Sequence, residues 1–182
     1  KQYGTFPAAS LGWVISEEDF LQGNNTLNFL KLRTSYGLTG NAEISEFRWR
    51  TLYNGVNYAG TAGTIPSQLG DRGLTWENTV STNIGLDFGW FADRLSGTVD
   101  VYHKKTTDLL LNVPILSTSG FQNIYQNVGS LQNKGIEISL NSKNLVGAFT
   151  WSTSFNIAFN KNKILTLVDG QPIYPGGRYL GR

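Results

Sequence analysis

From Phe149 to Phe159 the chain alternates with a period of two. Phe149, Trp151, Thr153, Phe155, Ile157 and Phe159 share one side, while Thr150, Ser152, Ser154, Asn156, Ala158 and Asn160 share the other. Successive side chains of a strand point to opposite faces, so this pattern demands an extended ribbon that is greasy on one face and hydrophilic on the other. Upstream, Ile136, Ile138 and Leu140 alternate with Gly135, Glu137, Ser139 and Asn141, and Asn144-Leu145-Val146-Gly147 reads as the connection. Residues 134–160 therefore predict a β-hairpin.

The same pattern recurs. Thr82, Ile84, Leu86, Phe88 and Trp90 oppose Asn83, Gly85, Asp87 and Gly89, and Asp93-Arg94 turns the chain. Leu95, Gly97, Val99 and Val101 then oppose Ser96, Thr98, Asp100 and Tyr102, in a strand expected to run to about Leu111. Leu30, Leu32, Thr34 and Tyr36 oppose Lys31, Arg33 and Ser35, and a less regular strand covers roughly Phe6 to Ile15. After it, Ser16-Glu17-Glu18-Asp19-Phe20-Leu21 predicts a single helical turn with Ser16 as its N-cap. Six strands thus alternate between short connections (near 16–28, 92–94 and 143–148) and long ones (near 38–75, 112–130 and 161–182), and Phe47 to Tyr58 is a candidate for further strand.

Composition agrees with an all-β chain: 21 Gly and 13% aromatic residues suit turns and pleated surfaces. Met is absent even from position 1, so the chain is expected to be a piece of a longer protein whose N-terminus and any signal peptide lie elsewhere. Cys is absent too, which excludes disulfides and thiolate metal sites but leaves the compartment open. A net charge of +2, from scattered residues, gives nucleic acid nothing to grip. No apolar run is long enough for a membrane helix, yet a mean hydropathy of −0.22 suits the weak alternating signal of a membrane-spanning barrel.

Two architectures satisfy this pattern. One is a soluble β-sandwich, such as a carbohydrate-binding or adhesion domain of a secreted protein. The other is a partial wall of a large antiparallel transmembrane β-barrel, with short periplasmic turns and long extracellular loops. Lys31, Arg33, Asp87, Asp100, Lys104 and Glu137 all lie opposite the apolar stripe, which in a barrel makes them lumen-facing. Trp13, Trp90, Phe91, Phe149 and Trp151 gather beside the short turns, where amphipathic rings favour the headgroup level. Six strands with open edges cannot cross a bilayer alone, because every backbone polar group in hydrocarbon must be paired; such a chain belongs to a larger wall.

The order of local signatures resembles the SusC/RagA family of transporters. It opens with Phe6-Pro7-Ala8-Ala9-Ser10-Leu11-Gly12-Trp13 and Ile15-Ser16-Glu17-Glu18, followed by Leu30-Lys31-Leu32-Arg33-Thr34-Ser35-Tyr36-Gly37-Leu38-Thr39-Gly40-Asn41. Leu74-Thr75-Trp76-Glu77-Asn78-Thr79 leads into Asn83-Ile84-Gly85-Leu86-Asp87. Gly97-Thr98-Val99-Asp100-Val101-Tyr102, Lys105-Thr106-Thr107-Asp108-Leu109-Leu110, Asn127-Val128-Gly129, Asn133-Lys134-Gly135-Ile136-Glu137 and Asn160-Lys161-Asn162-Lys163-Ile164 complete the series. The resemblance implies a barrel of about 22 strands with a separate N-terminal plug, importing glycans or peptides across the outer membrane of a Gram-negative bacterium. It further implies energy from TonB, received by the N-terminal part, and a SusD-like surface lipoprotein as a lid. The plug and the last barrel strands would then lie outside these residues.

Chemistry of its own is not expected of such a segment, nor any cofactor. His103 is the only histidine and has no carboxylates at ligand spacing around it. Asp87 and Asp100 share one face of a hairpin, as paired carboxylates of glycoside hydrolysis do, but no further element of an active site accompanies them. Gly176-Gly177-Arg178 lacks the Lys and the helix of a phosphate loop. Recognition of an oligosaccharide or peptide falls to the long loops: Trp49, Tyr53, Tyr58, Phe121 and Tyr125 offer stacking faces, and Asn41, Arg48 and Asn123 hydrogen bonds. The same side chains equally suit bracing the loops or meeting the lid.

Overall fold

The computed structural model describes residues 3–21, 23–24 and 26–168, with Tyr58 described by its backbone alone. Its strands in chain order are β1 (Ala8–Val14), β2 (Leu27–Asn41), β3 (Leu52–Tyr58), β4 (Thr61–Gln68), β5 (Glu77–Trp90), β6 (Leu95–Thr107), β7 (Leu110–Pro114), β8 (Asn123–Asn127), β9 (Ser130–Leu145) and β10 (Trp151–Thr166). Six of them form one antiparallel sheet in the order β1-β2-β5-β6-β9-β10, so spatial order follows chain order. The hairpins β3-β4 and β7-β8 are separate two-stranded sheets.

Register carries the sequence alternation across the whole sheet. Trp13, Leu32, Leu86, Val99, Ile138 and Ile157 stand in one lateral row, and Leu11, Thr34, Ile84, Val101, Ile136 and Phe159 in another on the same face. Between them, on the opposite face, runs the row Gly12, Arg33, Gly85, Asp100, Glu137 and Ala158. A one-residue slip anywhere would turn a strand's apolar set to the polar side, so the pattern fixes the pairing.

Among the described residues, no second layer covers either face. Among the described residues Val113 is the one buried apolar side chain, whereas Leu11 is 70% exposed and Phe155 and Phe159 are 52% and 58% exposed. A sandwich would seal this face against a second sheet about 10 Å away, and none lies on it among the described residues. The apolar side chains instead pack sideways: the ring of Phe88 and the side chain of Leu140 lie over Gly97, where an added Cβ would come within 2.8 Å of both. A single-layer sheet of this kind is stable only with a non-aqueous solvent against its greasy face.

Several local expectations need correction. Ser16 caps nothing: the turn is a 3-10 element, Ile15–Glu17, with Val14 at the N-cap and no side-chain cap bond. The strand from Leu95 ends at Thr107, because Asp108 takes a left-handed conformation (φ 58) and bends the chain before β7. Asn144 and Leu145 belong to β9 rather than to the turn, and Phe149 lies in the connection before β10. The supposed loop from 161 begins as strand, since β10 continues to Thr166. The long segments at 38–75 and 112–130 hold the hairpins β3-β4 and β7-β8, so the strand sought between Phe47 and Tyr58 is there from Leu52. Gly176-Gly177-Arg178 lies outside the described residues.

Candidate functional site

Two features carry polar side chains together: a charged network on the polar face of the sheet, and a cleft between the two loop hairpins. On β2, Arg33 stands beside Gly85 of β5, which stands beside Asp100 of β6. Arg33 donates from Nε and Nη2 to the two carboxylate oxygens of Asp87, both at 2.7 Å, and from Nη2 to Asp100 at 3.2 Å. The guanidinium reaches Asp100 only because Gly85 leaves its path open: a Cβ there would stand 2.7 Å from Nη2 and 2.5 Å from Asp100 Oδ1. Planar, bidentate capture of a carboxylate is what the fork of Arg supplies and Lys does not.

Among the described residues the other polar-face charges make no ion pair with this triad. Lys31 lies along Gly12, Lys104 sits 5.7 Å from the ring centroid of Tyr102, and Glu137 is exposed beside Asp100 in register. Asp87 and Asp100 are thus neighbours, as their spacing suggested, but an arginine lies between them where a paired-carboxylate mechanism would need a substrate bond. No cluster of His, Cys, Asp and Glu suited to a metal ion occurs among the described residues.

The loop hairpins are extensions of the sheet. Asp108 (φ 58) and Gly129 (φ 88) kink both partners of the β6–β9 pair at one level, and Val128 N–H donating to Leu109 O at 2.8 Å carries the pairing into β7 and β8. Asn127 clamps the bend: its Oδ1 accepts from Thr75 N at 2.7 Å, and its Nδ2 donates to Thr75 O and Asp108 O, each at 2.9 Å. Glu77 accepts from Leu110 N at 2.8 Å and from Asn41 Nδ2 at 2.9 Å. Sequence reasoning missed both clamps, although Asn127-Val128-Gly129 and Trp76-Glu77-Asn78 lie within the family signatures.

Between the hairpins a lone parallel bridge joins Leu69 to Ile124, and beside it opens a polar cleft of 490 Å³. Arg48, Phe121, Asn123 and Tyr125 line it together with Gln68 and Asn112. Arg48 lies 4.7 Å from the ring centroid of Tyr125 and donates to Gln68 Oε1 at 3.0 Å, while Gln68 Nε2 donates to the carbonyls of Phe47 and Arg50. Half of the expected recognition residues therefore come together. Trp49 lies in a second, more apolar cleft with Leu74 and Trp76, Asn41 is spent on Glu77, and Tyr53 is exposed on β3. The side chain of Tyr58 lies outside the described residues.

Comparison with known proteins gives the same architecture. The chain is 46% identical over 177 residues to a TonB-dependent receptor of Formosa agariphila, covering 96% of this chain and 17% of that protein. It is 41% identical over 179 residues to the TonB-dependent receptor SusC of Bacteroides thetaiotaomicron, covering 93% of this chain and 18% of SusC. Among solved structures, the RagAB peptide importer in its open-open state superposes with a TM-score of 0.85 at 35% identity, over 94% of this chain and 19% of that one. The RagAB peptide transporter matches with a TM-score of 0.81 at 36% identity, over 90% of this chain and 18% of that one. The chain thus spans less than a fifth of the relatives it matches. The family model for the TonB-dependent receptor-like β-barrel matches residues 1–181, and the chain belongs to that family.

Proposed function

We propose that this chain is a stretch of barrel wall in an outer-membrane, TonB-dependent importer of SusC/RagA type that takes up oligosaccharides or peptides in a Gram-negative bacterium. One observation carries the reading: a single-layer sheet with an exposed apolar face on one side and an ion-paired, hydrogen-bonded face on the other. Such a sheet belongs between hydrocarbon and water. The plug, the TonB-contacting segment and the remaining strands are assigned to other parts of the parent protein, and a SusD-like lipoprotein to a lid above the loop hairpins. The segment does no chemistry of its own: Arg33 with Asp87 and Asp100 braces the lumen wall across β2, β5 and β6.

Substrate recognition is assigned to the cleft of Arg48, Phe121, Asn123 and Tyr125, where a flat face, a cation and amide groups converge on one opening. Trp49 and Tyr53 are assigned to contact with the lid or with substrate at the rim. Fractionation of cells expressing the parent gene tests the core of the proposal. Recovery of the product only after detergent extraction of the outer membrane is the expected result; a detergent-free monomer that unfolds cooperatively refutes it.

A further inference from the structure

The apolar face changes character at the outer end of β6, β9 and β10. Above Val101, Ile136 and Phe159, the next outward residues form the lateral row His103, Lys134 and Lys161. One outward step further, Lys105 and Lys163 flank Gln132. Neighbouring strands lie about 4.8 Å apart and outward residues about 7 Å apart along a strand, so these cations share a patch about 10 Å across. All five are exposed, and among the described residues those that flank them on the same face, Thr82, Val80 and Thr107 on the β5 and β6 side, carry no charge. The inner face of the same strands, by contrast, mixes Asp100, Lys104 and Glu137. A shallow, open groove of 480 Å³ lies where the apolar row meets the basic row, with Val101, Ile136 and Phe159 below and His103, Lys134 and Lys161 above among its lining.

We infer that this patch binds the phosphorylated headgroup of an outer-leaflet lipid, with an acyl chain in the groove; the inference rests on the barrel reading above. Its height fits. Trp151 marks the inner interface, and the separation from Trp151 to Lys161 along β10 matches the roughly 9–11 residues of a tilted crossing, so Lys161 stands at the outer headgroup level. Cations with no carboxylate beside them among the described residues of this face suit a phosphomonoester, which accepts several charge-assisted hydrogen bonds at once. The apolar groove beneath distinguishes an amphiphile from a free anion.

The parent importer, placed in phosphatidylcholine nanodiscs, is titrated with lipid A and with dephosphorylated lipid A, and retained lipid is counted by native mass spectrometry. Lipid A is expected to bind and the dephosphorylated form to bind at least ten-fold more weakly. Lys134→Gln with Lys161→Gln is expected to weaken lipid A roughly 30-fold, about five-fold per lysine. Lys134→Arg with Lys161→Arg keeps the charge and the binding, and Lys143→Gln, at the opposite end of β9, changes nothing. Equal binding of both lipids, an unaffected Gln pair, or displacement by millimolar inorganic phosphate each overturns the site. A spin label at Phe155→Cys separates the two failures. If lipid-soluble oxygen relaxes it, the wall reading stands whatever the lipid does; if not, both fall.

Discussion

Phe155→Arg and Ser154→Arg are adjacent substitutions of the same charge, and only the barrel reading gives them opposite outcomes. Phe155 lies on the apolar face beside Leu140, close to halfway between Trp151 and Lys161, which puts it near the bilayer centre. Its neighbours leave it 52% exposed, and lipid covers that remainder, so the ring counts as fully removed from water. Losing it forfeits about 1.5–3 kcal/mol. An arginine on the lipid face at the midplane adds roughly 2–4 kcal/mol. Together these reach about 3.5–7 kcal/mol, comparable to the whole stability of a marginally stable protein. Ser154 lies on the opposite, polar face and donates to Asn141 Oδ1 at 2.8 Å. Replacing it loses one exposed hydrogen bond, about 0.5–1.5 kcal/mol. Heat-modifiability on gels, which separates folded from unfolded barrels, reads both variants in outer membranes. Phe155→Arg should leave almost no folded band and Ser154→Arg a normal one. Equal bands, in either direction, would refute the placement of hydrocarbon against this face.

Other substitutions probe single contacts. Gly97→Ala sets a Cβ 2.5 Å from Ser139 O, between Phe88 and Leu140, and should lower barrel stability in a guanidinium titration by about 1–3 kcal/mol. Ala92→Gly should raise it by about 0.5–1 kcal/mol, because Phe91, Ala92 and Asp93 all adopt left-handed φ (56, 54 and 57) in the turn between β5 and β6, and glycine removes the Cβ strain. Arg33→Met should cost about 1 kcal/mol, less at high salt, since its ion pairs are partly exposed and screened. Arg48→Ala removes its stacking on Tyr125 and its bond to Gln68, so half-saturation of whole-cell uptake should rise several-fold, for about 0.5–2 kcal/mol, with the amount of folded barrel unchanged.

The strands were legible because a barrel wall has one rule per face: Ile84, Leu86 and Phe88 announce β5, and Ile136, Ile138 and Leu140 announce β9, whatever lies beyond the sheet. That these charges share a face was legible for the same reason, as Lys31, Arg33, Asp87, Asp100, Lys104 and Glu137 all stand opposite the apolar stripe. Local chemistry was less so. Asp108 is an ordinary residue at the end of a strand pattern, and its left-handed backbone is imposed by pairing with the segment around Gly129, a partner that no window of sequence contains. Ser16 looks like a cap because Ser often is one, yet Glu18 is drawn to the Trp13 Nε1 at 2.8 Å and the chain makes only a 3-10 turn. The loop cleft brings Arg48 to Tyr125 across the Leu69–Ile124 bridge, a contact between hairpins far apart in sequence.

The lysines after Phe159 show how a period-two reading ends too early. Once the apolar residues stop, Asn160-Lys161-Asn162-Lys163 looks like a polar loop, although the backbone continues as β10 to Thr166. What changes there is the solvent, not the secondary structure. Within hydrocarbon the outward face must be apolar, and at the headgroups that same face favours cations, so His103, Lys105, Lys134, Lys161 and Lys163 continue the stripe in a different chemistry. The opposite face meets no hydrocarbon and so has no such boundary. It therefore mixes both signs, and a bridge such as Arg33 to Asp87 and Asp100 forms in the middle of the strands rather than at their ends. The contrast between a sorted outer face and an unsorted inner one is what a membrane imposes and a water-filled surround does not.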